Sequence, residues 1–336
     1  MKRPVTLFTA QWADLPFEEV VRLAADWGFD GLEIACKTQH LDVDRALDDD
    51  AYLQGRLDLL ERHGLKVWAL SNHAQGQVVC DDPLDFRHEA IVGPRTWGDG
   101  DPEGVRARAS EQLKKTARLA RRMGVDVVTG FTGSKIWRYI AMYPPVPQTV
   151  IDDGYEDFAR RWNPIMDVFD AEGVRFALEV HPSEIAYDSY TTRRALDAID
   201  HREAFGLNWD PSHMLWQDID PANFIVDFAD RIYHVDCKDT RIRARDGRVG
   251  RLGSHLPWDS PRRGWTFVSA GHGDVPFEDA FRALDAIGYD GPISIEWEDA
   301  GMSRYEGAPA ALAHVRSLLW DRPQAAFDSV FAQHDE

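Results

Sequence analysis

The chain changes its hydrophobic period again and again. Short apolar runs of strand character alternate with helical patterns, and helix after helix stops at a glycine. The runs are 5–9, 31–36, 66–71, 125–131, 174–180, 205–209, 232–235 and 292–297. Spacings of three and four residues predict helices over 17–27, 51–63, 105–123, 155–172, 191–199, 221–229, 277–287 and 308–320. In the first of these, Val20, Val21, Leu23, Ala24 and Trp27 form one apolar stripe ahead of Gly28. Strands alternating with helices imply parallel strands joined by crossovers. Eight such units in 336 residues predict an α/β fold, a single-domain (β/α)8 TIM barrel. An open doubly wound sheet is the alternative, but no strand run is followed by a G-x-G-x-x-G turn.

The barrel is expected to fill residues 1–322, with 323–336 as a C-terminal tail. Two connections are long: 133–153 after strand four, with Trp137 and Tyr139, and 238–275 after strand seven, with Trp258 and Trp265. Both leave C-terminal strand ends, where barrel active sites lie, and long loops in compact domains are usually functional or disordered.

Charge narrows the partners. Lys and Arg number 38 against 57 Asp and Glu, a formal charge of −19. Such a chain repels nucleic acid phosphates and anionic membrane surfaces. No apolar run reaches the length of a membrane span, and no apolar signal segment precedes Val5. Cys36, Cys80 and Cys237 are odd in number and far apart, which fits a reducing cytoplasm without a disulfide framework.

Chemistry concentrates at the ends of four consecutive strands. Strand five ends in Glu179-Val180-His181, strand six in Asp210-Pro211-Ser212-His213, and strand seven in His234-Val235-Asp236. Strand eight holds Glu296-Trp297-Glu298. Alternation along a strand puts Glu179 and His181 on one face, and likewise Glu296 and Glu298. Taken singly, such an acid is more often a helix cap, and His234 alone reads as a satisfied core histidine. Equivalent positions in four successive units instead suggest one site. Two Glu, one Asp and one His make an oxygen-rich set for a divalent ion, Mn²⁺ first, with Mg²⁺, Co²⁺ or Zn²⁺ also compatible. An ion also offsets the cost of burying carboxylates.

These stretches, with Tyr233-His234-Val235-Asp236-Cys237-Lys238-Asp239, Gly271-His272-Gly273, Ile293-Ser294-Ile295-Glu296 and Trp27-Gly28-Phe29-Asp30-Gly31-Leu32-Glu33, occur in order. Over about residues 4–320 the chain resembles the sugar phosphate isomerase/epimerase family with the xylose-isomerase-like barrel. That family includes inosose isomerases and dehydratases, ketose 3-epimerases, hydroxypyruvate isomerases and apurinic endonucleases. The resemblance implies metal ligands at Glu179, Asp210, His234 and Glu296. Many relatives read His-x-His in strand seven where this chain has Asp236 at the second position. Catalytic roles fall on Glu179 and Glu296, with His181 or His213 as base or as a guide for hydroxyl protons. Glu33, His73, Trp137, Lys238 and His272 are implied as substrate-binding residues.

The implied reaction is α-proton abstraction from a keto-sugar or keto-polyol through a metal-bound enediolate. Reprotonation gives epimerisation or isomerisation. Expulsion of a β-substituent makes the alternative, a lyase releasing water or an aglycone from a 3-keto sugar or 3-keto-glycoside, with a small partner subunit. Otherwise the expected partners are a small carbohydrate and further copies of the chain. A non-catalytic polyol-binding barrel predicts a missing ligand, and none is missing. A nuclease needs a basic groove, which −19 opposes.

Overall fold

The structure, a computed structural model, describes residues 2–37, 39–243, 247–252, 255–321 and 329. Its strands are β1 (Val5–Phe8), β2 (Gly31–Ala35), β3 (Lys66–Ser71), β4 (Val127–Gly130), β5 (Arg175–Glu179), β6 (Phe205–Trp209), β7 (Ile232–Cys237), β8 (Asp239–Ile242), β9 (Trp265–Val268) and β10 (Ile293–Ile295). Eight close a barrel in the order β1-β10-β7-β6-β5-β4-β3-β2. Every pairing in it is parallel, and β10 returns to β1 through Val5 opposite Ile293. The predicted (β/α)8 barrel is therefore the fold. The expected tail at 323–336 lies outside the described residues except for Ser329. No helix among the described residues is long and apolar enough to cross a membrane.

Local chemistry explains the elements. Gly28, Gly124 and Gly173 end their helices with φ of 90°, 68° and 65°, a conformation that costs glycine little. Asp42, Asp49, Asp85, Asp101, Asp188 and Asp220 each accept a backbone N–H at a helix start. Capping by a carboxylate at the positive end of a helix thus accounts for part of the acidic excess. Outside the barrel, Trp162 packs against Phe158, Phe176 and Phe205, with a ring separation of 4.6 Å to Phe176.

The connections depart from the sequence expectation in several places, and three bear on the site. Segment 133–153 is shorter as a loop, because the next helix already starts at Gln148 (Gln148–Glu172). Segment 238–275 contains an antiparallel hairpin, with β8 pairing β9 from Asp239 opposite Val268 to Ile242 opposite Trp265. Residues 73–97 form helices His73–Cys80 and Phe86–Trp97 that periodicity did not reveal. The first crowds its apolar residues into Val78, Val79 and Cys80, and the second is broken at Gly93 and Pro94. Neither presents a regular stripe.

Helix His73–Cys80 sets the barrel's rim because of Gly76. A Cβ there would stand 1.8 Å from the carbonyl oxygen of Phe131, which follows β4. This close approach fixes His73 and Phe131 together, with ring centroids 4.6 Å apart. Gly76→Ala is expected to lower stability by about 1–3 kcal/mol through overpacking. Thermal unfolding checks this, and an unchanged Tm would refute the close contact.

Candidate active site

The barrel strands deliver Glu179, Asp210 and Glu296 to one point. Glu179 ends β5, while Asp210 and Glu296 follow β6 and β10 directly. Their exposures are 2%, 0% and 7%, and one carboxylate oxygen from each lies within 4.8 Å of the others. Each carboxylate is held from outside the cluster. Asp210 Oδ1 accepts the Ser212 N–H at 2.8 Å and caps helix Pro211–Leu215. Glu179 Oε2 faces His73 Nε2 at 3.0 Å, and Ser71 Oγ orients the same ring through Nδ1 at 2.7 Å. Glu296 Oε1 accepts from Gln11 Nε2 at 2.8 Å, and Oε2 from Lys238 Nζ at 2.8 Å.

Two oxygens are left over. Glu179 Oε1 and Asp210 Oδ2 are buried and accept no hydrogen bond. His213 Nε2 stands 3.4 and 3.2 Å from them, and Lys238 Nζ 3.8 and 3.0 Å, without hydrogen-bond alignment. Burial opposes ionisation of Glu179, but Lys238 and the imidazoles of His213 and His73 outweigh it and hold this carboxyl well below its usual range. Burial, with Glu179 and Asp236 nearby, pushes Asp210 up to about 8 in spite of Lys238. Burial, with Glu179 and Glu298 nearby, also pushes Glu296 well above its usual range against Lys238. The three are thus under-compensated by one ammonium, and a divalent ion suits this oxygen-rich set. Burial lowers His181 to about 4 and His213 well below its usual value. Their rings lie 3.9 Å apart.

A second layer lies deeper in the barrel. Glu33 Oε1 accepts from Thr129 Oγ1 at 2.5 Å, and Oε2 from Ser294 Oγ at 2.7 Å. His234 Nε2 faces Glu33 Oε2 at 2.9 Å. Burial works against both charges, yet each holds the other, so Glu33 sits at about 2 and His234 at about 10. The structure therefore does not bring His234 to the three carboxylates with which it was expected to share an ion. Asp236, two residues on, groups both with Glu33 and His234 and with Glu179 and His73, and so bridges the two layers.

Above the carboxylates opens a cavity of about 600 Å³. Of the expected residues, His73, Trp137, Glu179, His181, His213, Lys238 and Glu296 line it. Glu33, Asp210 and His234 lie beneath it, fully buried. His272 is not in it. It is exposed and borders a separate depression on the far side of the hairpin. The Gly-His-Gly signal belongs to its glycines, because Asp239 Oδ2 accepts the N–H groups of Gly271 and Gly273 at 2.9 and 2.8 Å. A Cβ on Gly273 would stand 2.1 Å from Asp239 Oδ1. Sequence reasoning missed Gln11, Phe131, Trp216 and Phe267 as cavity residues. Gln11 lies just beyond β1, so the strand-end rule that found Glu179 could have found it.

The sequence profile of the xylose isomerase-like TIM barrel matches residues 21–318. The chain belongs to that family. It is 29% identical over 324 residues to the uncharacterized protein YfiH of Bacillus subtilis, covering 91% of this chain and 96% of that one. Among solved structures it resembles the 3-keto-D-glucoside 4-epimerase YcjR from E. coli at a TM-score of 0.67 and 16% identity, over 94% of this chain and 100% of that one. The probable 3-DHS dehydratase AsbF from Bacillus anthracis aligns with a TM-score of 0.65 and 18% identity, over 93% and 98%. At these identities the two structures attest the family's barrel.

The deeper layer makes a stability prediction. Glu33→Gln removes the nearer of two carboxylates from the buried His234 imidazolium and leaves Asp236 Oδ1 at 3.5 Å, an expected loss of about 3 kcal/mol. His234, raised from 6.5 to about 10, stabilises fully below pH 6.5 and loses this as pH climbs through 10. Glu33, lowered from 4.5 to about 2, stabilises above pH 4.5 and loses this as pH falls through 2. The gap between wild type and Glu33→Gln should be widest between pH 4.5 and 6.5 and narrow towards pH 10. Denaturant titrations across this range check it, and a flat gap would mean the pair is not ionised.

Proposed function

We propose that the chain is a divalent-metal-dependent isomerase or epimerase of a keto-sugar or keto-polyol. The observation that carries this reading is the pair of buried oxygens that accept no hydrogen bond, Glu179 Oε1 and Asp210 Oδ2, beside Glu296 at the base of the cavity. Glu179, Asp210 and Glu296 would hold the ion, with Asp236 rather than His234 as the donor from β7. When bound, the ion supplies Lewis-acid polarisation of a substrate carbonyl, which acidifies the adjacent C–H. Family membership, and the epimerase and dehydratase among its structural neighbours, support the substrate class.

The chain's own residues supply the proton chemistry. Glu179 and Glu296 both line the cavity, one ending β5 and the other following β10, so one carboxylate can take the proton and the other return it. Glu179, held ionised and fixed by His73, takes the proton. Glu296, fixed by Gln11, returns one. His181 and His213, neutral in this burial, orient substrate hydroxyls. Phe131, Trp216 and Phe267 limit water around the enediolate.

A second reading has its own support. The cavity falls within the roughly 300–1,000 Å³ typical of sites for drug-sized ligands. Trp137, Trp216, Trp258, Trp265 and Phe267 line it. Trp216 stacks on Trp265 at 4.7 Å and 6°. Such a wall suits a substrate with an apolar aglycone, such as a 3-keto-glycoside, from which elimination would release that aglycone.

Metal analysis, followed by NMR in D2O with ketoses, inososes and 3-keto-glycosides, tests both. Deuterium wash-in or isomerised product is expected under the first reading, free aglycone under the second. Chelation should abolish the reaction and Mn²⁺ restore it. Glu179→Gln should slow α-proton exchange at least about 100-fold. Undiminished exchange in that variant would sink the two-glutamate mechanism.

A further inference from the structure

We propose that Lys238 is the resident cation of the carboxylate site, and that metal loading exchanges its ammonium for the ion. The inference rests on the metal-site reading above. Lys238 Nζ lies 2.8 Å from Glu296 Oε2, 3.0 Å from Asp210 Oδ2 and 3.8 Å from Glu179 Oε1, with the side chain 4% exposed. It touches the same three carboxylates that would ligate the ion. Oxygen ligands bind hard divalent ions at about 2.0–2.6 Å. An ion bonded to these oxygens would lie against the ammonium, two cations in a buried place where charges are poorly screened. An ion bonded there takes over oxygen contacts that the ammonium now holds.

The bonding is that of a placeholder. The ammonium is hydrogen-bonded to Glu296, while Asp210 Oδ2 and Glu179 Oε1 stay without a hydrogen bond. It keeps three acidic groups together without saturating them. A way out also exists. Lys238 lines the cavity, and its Nζ already lies 4.9 Å from the Phe267 ring centroid, a contact that favours the cation on the cavity side. Glu298 borders the same cavity and attracts the same charge. The flexible four-carbon stem lets the head move there while the backbone stays fixed. Displaced, the ammonium faces the substrate volume. Lys238 is thus a positioning residue before the ion arrives and a substrate contact afterwards.

Isothermal titration of Mn²⁺ into chelator-stripped wild type and Lys238→Met tests the exchange. Removing the competing charge should tighten Mn²⁺ binding at least tenfold. In chelator the variant should melt below wild type, and saturating Mn²⁺ should close the difference. Equal or weaker Mn²⁺ affinity in a folded variant overturns the exchange and leaves the metal reading standing. Absence of Mn²⁺ binding in both proteins overturns exchange and metal reading together. If Lys238→Met does not fold, reductive methylation of wild type followed by mass spectrometry decides. Lys238 should react faster with Mn²⁺ bound than in chelator, and an equal or slower rate overturns the proposal.

Discussion

Five carboxylates, Glu33, Glu179, Asp210, Asp236 and Glu296, are buried inside or on top of one barrel, and much of the structure around them follows from compensating that charge. The two layers are solved differently. In the lower layer, Thr129, Ser294 and His234 share Glu33, so a single carboxylate ties β2 to β4, β7 and β10. In the upper layer the partners are one ammonium and the imidazoles of His73 and His213, and Glu179 Oε1 and Asp210 Oδ2 accept no hydrogen bond. The lower layer, with both Glu33 oxygens hydrogen-bonded, is a foundation, and the layer above it leaves carboxylate oxygens open.

Much of this was legible in the chain. The change of period located all eight barrel strands to within a few residues, because a strand buried on both sides must be apolar and a helix on the outside must carry a stripe. The strand-end rule found Glu179, Asp210 and Glu296 because the barrel puts every such position at one mouth. Depth was not legible. His234 and Asp236 point into the same barrel two residues apart, and alternation treats them alike. Their heights depend on the register, which shifts between β6 and β7 at Leu207 and Asn208. Position in sequence also could not say that Gly271 and Gly273 serve Asp239 while His272 faces outward.

The aromatic wall of the cavity comes largely from one excursion. Trp258, Trp265 and Phe267 belong to the segment around β8 and β9, and these strands pair only with each other. Trp216, from the helix after β6, joins them through its stack on Trp265. The carboxylates sit on the barrel strands, and the surface that would meet the rest of a substrate sits on the hairpin.

Asp239 closes that excursion on itself. Its Oδ1 accepts the N–H of Thr240 at one end and of Val275 at the other. The segment therefore leaves and rejoins the barrel at a single carboxylate, whatever lies between. Closing a loop grows more costly only slowly with its length. Residues can be gained, lost or exchanged within it while β7 and β10 keep their places. Descendants of this barrel could thus acquire new pocket walls by rewriting one clasped segment and inherit Glu179, Asp210 and Glu296 untouched.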